Sequence, residues 1–290
     1  MSIRMHAAAG YLRATRKRGT STPARTRSRL NAPKGTAMPP ATLMGRHDVR
    51  ERTVEGFRCV SVTPRGGAER GALYLHGGSY MAEIIAQHWE LVGRLADAGV
   101  RVEVPIYGLA PDYTYHAAYP LVTAVYQELL DDLPAERVTI AGDSAGGGLA
   151  LGFAQSLLGA GLPQPGRNLL ISPWLDLTLA NPAVRYVRDP WLNRVGLVEC
   201  GLAWAGGTDP ADPLLSPING PLAGLAPTDV YIGTRDLLYP DVLRLRSRAE
   251  EAGTAVRVDV QPGGVHVYPL LPVPEGRSAT ERIVRTLGNL

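Results

Sequence analysis

The stretch that most constrains this chain is Val138-Thr139-Ile140-Ala141-Gly142-Asp143-Ser144-Ala145-Gly146. A β-branched apolar run ends in Gly-Asp-Ser-Ala-Gly, and a small-residue helical stretch from Leu149 to Leu158 follows. Strand, sharp turn and helix is the context that a nucleophile elbow requires. The turn forces Ser144 into a strained backbone conformation, so the residues two before and two after must be small. Gly142 and Gly146 meet that need, because a Cβ at either place would strike the turned chain. The hydroxyl then stands above the sheet. The Ala145 N–H, at the start of the helix, faces the place where a substrate oxygen would gain negative charge. The competing reading is a Gly-rich turn with an incidental serine, and the pentapeptide alone does not decide between them.

The surrounding chain supplies the context. Phe57–Thr63 alternates like a strand, and Gly71–Leu75 is a second one running into His76-Gly77-Gly78-Ser79-Tyr80. A helix over 86–98 follows, then a strand over 100–104, a helix over 120–130, and the strand into Ser144. Leu169–Pro173, Asp229–Gly233 and Val256–Val260 are further strands, with helices over 240–252 and 280–287. Strands alternating with helices mean a mostly parallel sheet with helices on both faces, an α/β fold. Residues 176–226 lose the alternation and are rich in Pro, Gly, Trp and Asp, which suggests an insertion over the site. Residues 1–45 read as a helical appendage: one helix over 1–19, a second from Ser21-Thr22-Pro23 towards Asn31, then breakers at Pro33 and Pro39-Pro40. The domain expectation is an N-terminal helical segment 1–45 and a catalytic domain 46–290.

Charge separates the same two parts. Residues 1–52 hold twelve Lys and Arg against two Asp and Glu, whereas the remainder holds 18 basic and 25 acidic residues. A basic arm of this kind could meet an anionic membrane surface, or it could be a solvated pair of helices, and the residues favour the second. No aromatic interleaving supports a nucleic-acid partner. Met5 to Leu12 is too short and mixed for a secretion signal. Cys59 and Cys200 form no metal-like spacing, which fits a reducing, cytoplasmic compartment.

A serine nucleophile needs a base and an orienting acid. On a parallel sheet bearing such an elbow, the order is serine, acid, histidine. Of six histidines only His266 follows Ser144, and it sits on a glycine-flanked loop after the last strand. The acid is less forced: Asp176, Asp189, Asp209, Asp212, Asp229, Asp236 and Asp241 all lie between. Asp236 is preferred because it lies just beyond a strand's C-terminal end, where loops of a parallel sheet converge. Asp241 falls in the following helix, where a favourable dipole interaction explains it, and Asp176 follows a different strand. Asp143 braces the elbow. Gly77 and Gly78, in the exit loop of the second strand, supply oxyanion donors alongside Ala145. Trp89, Trp174, Trp191, Trp204, Tyr80 and Tyr107 are candidates to line a pocket; core packing suits them too, and Tyr80, next to the donor loop, is the one assigned to substrate binding.

Together, His76-Gly77-Gly78-Ser79-Tyr80, Tyr107-Gly108-Leu109-Ala110-Pro111-Asp112, Gly142-Asp143-Ser144-Ala145-Gly146-Gly147, Ile171-Ser172-Pro173-Trp174-Leu175-Asp176, Asp236 and His266 resemble the hormone-sensitive lipase family of bacterial carboxylesterases. The resemblance is to its Gly-Asp-Ser-Ala-Gly branch and runs from about residue 70 to 270. It implies an α/β-hydrolase fold and hydrolysis of small-molecule carboxylic esters of short to medium acyl chain, without a cofactor. It also implies a helical cap built from 1–45 and 176–226. A deacetylase or amidase on the same triad is the nearest alternative. A non-catalytic ligand-binding receptor on this scaffold is another, but it would lack the base. Two departures stand out: Ser79 where the family has a third glycine, and Gly108 and Asp112 where it has arginine and glutamate.

Overall fold

A computed structural model describes residues 1–289. Its centre is one eight-stranded sheet of order β1-β2-β4-β3-β5-β6-β7-β8. The strands are β1 (Asp48–Val54), β2 (Phe57–Thr63), β3 (Arg70–Leu75), β4 (Val100–Pro105), β5 (Val138–Asp143), β6 (Arg167–Ile171), β7 (Thr228–Gly233) and β8 (Val256–Gln261). β1 pairs with β2, and β2 with β4, antiparallel; all pairings from β4 onward are parallel. β5 is buried throughout, as a strand covered on both faces must be. The loops after β3, β5, β7 and β8 all leave from the carboxyl ends of parallel strands, so they gather at one edge of the sheet.

The helices that follow the strands are α4 (Ala86–Asp97), α5 (Tyr115–Asp132), α6 (Ser144–Ala160), α8 (Tyr239–Glu251) and α9 (Pro274–Gly288). They divide the core into two buried clusters, one containing Leu73, Val125 and Phe153, the other containing Tyr74, Val92 and Ile283. α5 begins five residues before Pro120 and α9 begins at Pro274, both earlier than the sequence suggests. Pro120 is tolerated one turn inside α5, and Pro274 opens α9 at a position suited to proline.

Three elements escape the sequence reading, a short helix over residues 41–46 among them. β1 alternates charged residues, Asp48, Arg50 and Glu51 among them, and hides only Val54 fully. It is an edge strand whose charges discourage further pairing. α7 (Arg194–Ala205) lies inside the stretch 176–226, and its two glycines are contact points. A Cβ on Gly196 would sit 2.4 Å from Thr20 Cβ, and one on Gly201 would sit 3.1 Å from Leu177 Cβ.

The basic arm is docked. α1 (Ile3–Thr15) is capped by Ser2, whose Oγ accepts from Met5 N–H at 3.1 Å and donates to Glu275 at 2.8 Å. α1 is followed by a 3-10 turn (Lys17–Thr20) and by α2 (Pro23–Leu30), with Thr22 as N-cap and Pro23 at the first position. A short helix α3 (Ala41–Arg46) leads into β1. Met5, Ala9 and Leu12 belong to the same buried cluster as Val265, Val267 and Val273. α2 packs on α7, with Arg27 paired to Glu199 at 3.0 Å. Among the described residues no helix is long and apolar enough to cross a membrane.

Met5 is fully buried, so Met5→Ala should lower the unfolding free energy by about 2–5 kcal/mol. Urea denaturation measures this; a loss below about 0.5 kcal/mol, the ordinary range for a surface change, would contradict the docking of α1.

Candidate active site

Ser144 stands at the junction of β5 and α6 with φ +51°. The two flanking glycines leave no other option. A Cβ on Gly142 would lie 2.3 Å from the Gly146 carbonyl oxygen, and one on Gly146 would lie 2.1 Å from that of Leu75. His266 Nε2 is 2.9 Å from Ser144 Oγ, and its Nδ1 is 2.9 Å from Asp236 Oδ2. A carboxylate at Nδ1 places the ring proton there, so the Nε2 lone pair faces the serine hydroxyl. Asp236 Oδ1 accepts from the Leu238 N–H at 3.0 Å. The other acids are spoken for. Asp241 accepts from the Asn181 amide at 2.9 Å. Burial pushes its carboxyl up to about 6. Asp176 closes its own loop through Thr178 and Ala180.

Asp143 is buried, and its Oδ1 accepts from the Tyr74 hydroxyl at 2.7 Å and the Gly77 N–H at 2.9 Å. Its Oδ2 lies 3.3 Å from His88 Nε2. Burial would raise this carboxyl, but His88, Tyr74 and Gly77 together hold it below the usual aspartate value. The bond from Gly77 corrects its assignment as an oxyanion donor: that N–H is already engaged, and its missing side chain serves close approach instead. A Cβ there would sit 2.2 Å from Asp143 Oδ2. Gly78, at φ +134°, and Ala145, in the first turn of α6, have N–H groups without an acceptor among the described residues.

The donor loop is held from behind. His76 is buried, pushed down to about 4 by burial and by His88, and its Nδ1 lies 2.7 Å from the Gly77 oxygen. It stacks on Tyr107 at 4.5 Å, and the Tyr107 hydroxyl donates to the His76 carbonyl. Gly108 makes room for the Tyr113 ring, whose Cγ would lie 2.3 Å from an added Cβ.

Tyr80 needs a second correction. Its side chain is buried, stacks on Trp204 at 4.3 Å and donates to the Ala145 carbonyl at 2.8 Å. Ser79 and Tyr80 both have positive φ, which turns Tyr80 away from the cavity. It is a brace of the elbow, not a substrate contact. Of the aromatic candidates only Trp191 lines the cavity, its ring edge-on to His266 at 5.5 Å. Trp89, Trp174, Trp204 and Tyr107 are core residues.

That cavity has a volume of about 700 Å³ and is open to Ser144 and His266. Leu192, Leu270, Leu271 and Val273 give it apolar lining, and α1 adds Ala8, Tyr11 and Leu12.

One further acid stands close to the site. Asp189 is buried; its Oδ1 accepts from Trp191 and Leu192 N–H at 2.6 and 2.8 Å, and its Oδ2 from Leu237 N–H at 2.8 Å. Leu237 adjoins Asp236, so Asp189 fixes the acid's loop and the tryptophan against the histidine. Lys17 donates to the Asp189 and Leu192 carbonyls, which ties the arm to the same loop. Burial and Asp236 raise the Asp189 carboxyl. In the sequence it is one of seven candidate acids, and no local signal singles it out.

Burial alone would lower the His266 pKa, but Asp236, Asp189 and Asp143 outweigh it and raise it above 6.5. A protonated imidazole cannot accept the serine proton. The kcat/KM of any acyl transfer here should therefore fall, as pH drops, through a midpoint above 6.5. Asp189→Asn removes one of the charges facing His266, whose other ionisable neighbours are Asp236, Asp143 and Ser144. It should move that midpoint to lower pH and reduce kcat by about tenfold to a hundredfold. An unmoved acid limb in the variant would contradict the placement of Asp189.

With this geometry in view, comparison with known proteins is informative. The sequence pattern of the alpha/beta hydrolase fold family matches residues 72–270. A Streptomyces hygroscopicus protein named acetyl-hydrolase is 39% identical over 228 residues, 76% of this chain and 76% of its own. A Mycobacterium tuberculosis triacylglycerol lipase is 31% identical over 258 residues, 88% of this chain but 54% of that longer protein. A solved esterase of the bacterial hormone-sensitive lipase family superposes with a TM-score of 0.82 at 27% identity, covering 100% of this chain and 98% of that one.

Proposed function

The chain belongs to the α/β-hydrolase-fold family, among its carboxylesterases of the hormone-sensitive lipase type, and we propose that it cleaves small-molecule esters of short to medium acyl chain through Ser144, His266 and Asp236. The observation that carries this is the continuous array from Asp236 Oδ2 through His266 to Ser144 Oγ, both links 2.9 Å long. His266 takes the serine proton as Ser144 Oγ attacks the ester carbonyl. Gly78 and Ala145 N–H groups receive the developing oxyanion. His266 then protonates the departing alcohol, and water activated by the same imidazole releases the acid. Asp236 holds the ring and favours its charged form.

The cavity volume of about 700 Å³ supports a modest substrate. Residues 1–45 and 176–226 serve as its cap, which the seating of Thr20 on Gly196 supports. The buried free thiols Cys59 and Cys200 support a reducing compartment, the cytoplasm. A second reading, removal of acetyl groups from a larger alcohol, draws on the name of the Streptomyces relative.

Hydrolysis of p-nitrophenyl esters of increasing chain length separates these readings: a peak at acetate alone favours deacetylation, and activity extending beyond it favours a general esterase. No turnover at any length would contradict both. Asp236→Asn should cost about 10⁴-fold in kcat. Asp241→Asn should leave the rate within about tenfold, since Asp241 bonds Asn181 and not the histidine.

A further inference from the structure

The cavity above Ser144 carries unbalanced charge. Arg4 on α1, Arg16 at its end and Arg29 on α2 all line it. Two other arginines of the arm have carboxylate partners, Arg27 with Glu199 at 3.0 Å and Arg46 with Asp97 at 2.7 Å, while Arg13, Arg18 and Arg25 do not line the cavity. Among the described residues, no carboxylate pairs with Arg4, Arg16 or Arg29. Only two acidic side chains, Glu83 and Asp143, line the same space. Asp143 is saturated by Tyr74, Gly77 and His88. Glu83 has cationic neighbours of its own in Arg58 and Lys34, neither of which lines the cavity. The apolar lining of Leu270, Leu271 and Val273 lies in the same cavity. One space thus offers a nucleophile, apolar surface for a short chain and three uncommitted guanidiniums.

We propose that the preferred substrate is an ester bearing an anionic group, a carboxylate or a phosphate, at the end remote from the scissile carbonyl, held by Arg4, Arg16 and Arg29. This rests on the esterase reading above. Guanidinium forks suit both anions; all three arginines are exposed, so the preference comes from their summed field at the cavity and is sensitive to salt. A neutral ester of equal length would fill the apolar part and leave the arginines unused. The basic arm then has a role at the cavity itself, quite apart from any lipid surface.

Two pairs of esters of matched length test this in a pH-stat. Monoethyl adipate against ethyl hexanoate places the charge on the acyl side. γ-Acetoxybutyrate against butyl acetate places it on the alcohol side. In at least one pair the anionic ester should show a kcat/KM about tenfold higher than its neutral partner at low ionic strength. Raising ionic strength from about 0.01 M to about 1 M shortens the screening length from about 30 Å to about 3 Å and should erase most of that ratio. Combining Arg4→Gln, Arg16→Gln and Arg29→Gln should bring the ratio to about one. The salt series on the unaltered protein gives the same answer if the triple variant folds poorly. Equal or lower rates for the anionic ester in both pairs, with the neutral esters still cleaved, would overturn the preference and leave the esterase reading intact. A ratio indifferent to salt and to the three arginines would overturn it as well. No cleavage of any of the four esters would overturn both.

Discussion

Ser144 is held at φ +51°, a region that costs a non-glycine residue about 1–3 kcal/mol. The surroundings give it no relaxed alternative: Gly142, Gly146 and the Leu75 carbonyl leave no space for any other path of the chain. That constraint lifts the hydroxyl off the sheet and sends α6 away from it. It also puts Asp143 under the donor loop, where a single carboxylate ties together Tyr74 of β3, Gly77 of the loop and His88 of α4. Tyr80 closes the set by bonding the carbonyl of Ala145. Nucleophile and donor loop are therefore one rigid unit, which is what electrostatic stabilisation of a transient oxyanion requires.

The second unit is assembled from the far half of the sheet. β7 delivers Asp236 and β8 delivers His266, and their loops interlock where the Arg235 N–H donates to the Gly264 carbonyl at 2.9 Å. Asp189 and Trp191 hold both from the side. Because Lys17 bonds that same loop, the arm is mechanically continuous with the base and its acid. The basic residues of the arm thus act on two levels: Lys17 fastens the structure, while Arg4 and Arg16 face the cavity.

Much of this is legible in the sequence, and the parts that are not have physical reasons. The elbow is local, a strand and a helix meeting at two glycines, so five residues describe it. The base follows from chain order, since only one histidine lies downstream. The inner parallel strands carry apolar runs, and β8 at the edge alternates valine with Arg257 and Asp259. β1 is hidden because an edge strand needs charge, and charge resembles loop. α7 is hidden because its glycines, which weaken helix propensity, are there for contact with Thr20 and Leu177. Gly77 and Gly78 look equivalent in sequence; only the position of Asp143 separates an engaged N–H from a free one. Tyr80 adjoins the donor loop, yet two successive positive φ values turn it inward. Asp189 acts through a backbone N–H 48 residues away, and no local pattern records that.

The central claim is that Ser144 is a nucleophile activated by His266. Mapping the adduct of an alkyl fluorophosphonate by peptide mass spectrometry tests it directly, since the reagent reacts far faster with an activated serine oxygen than with an ordinary hydroxyl. The account predicts one phosphonyl group per chain, on Ser144, and its loss in His266→Ala despite an intact fold. An unlabelled Ser144, or a label that persists without His266, would contradict it.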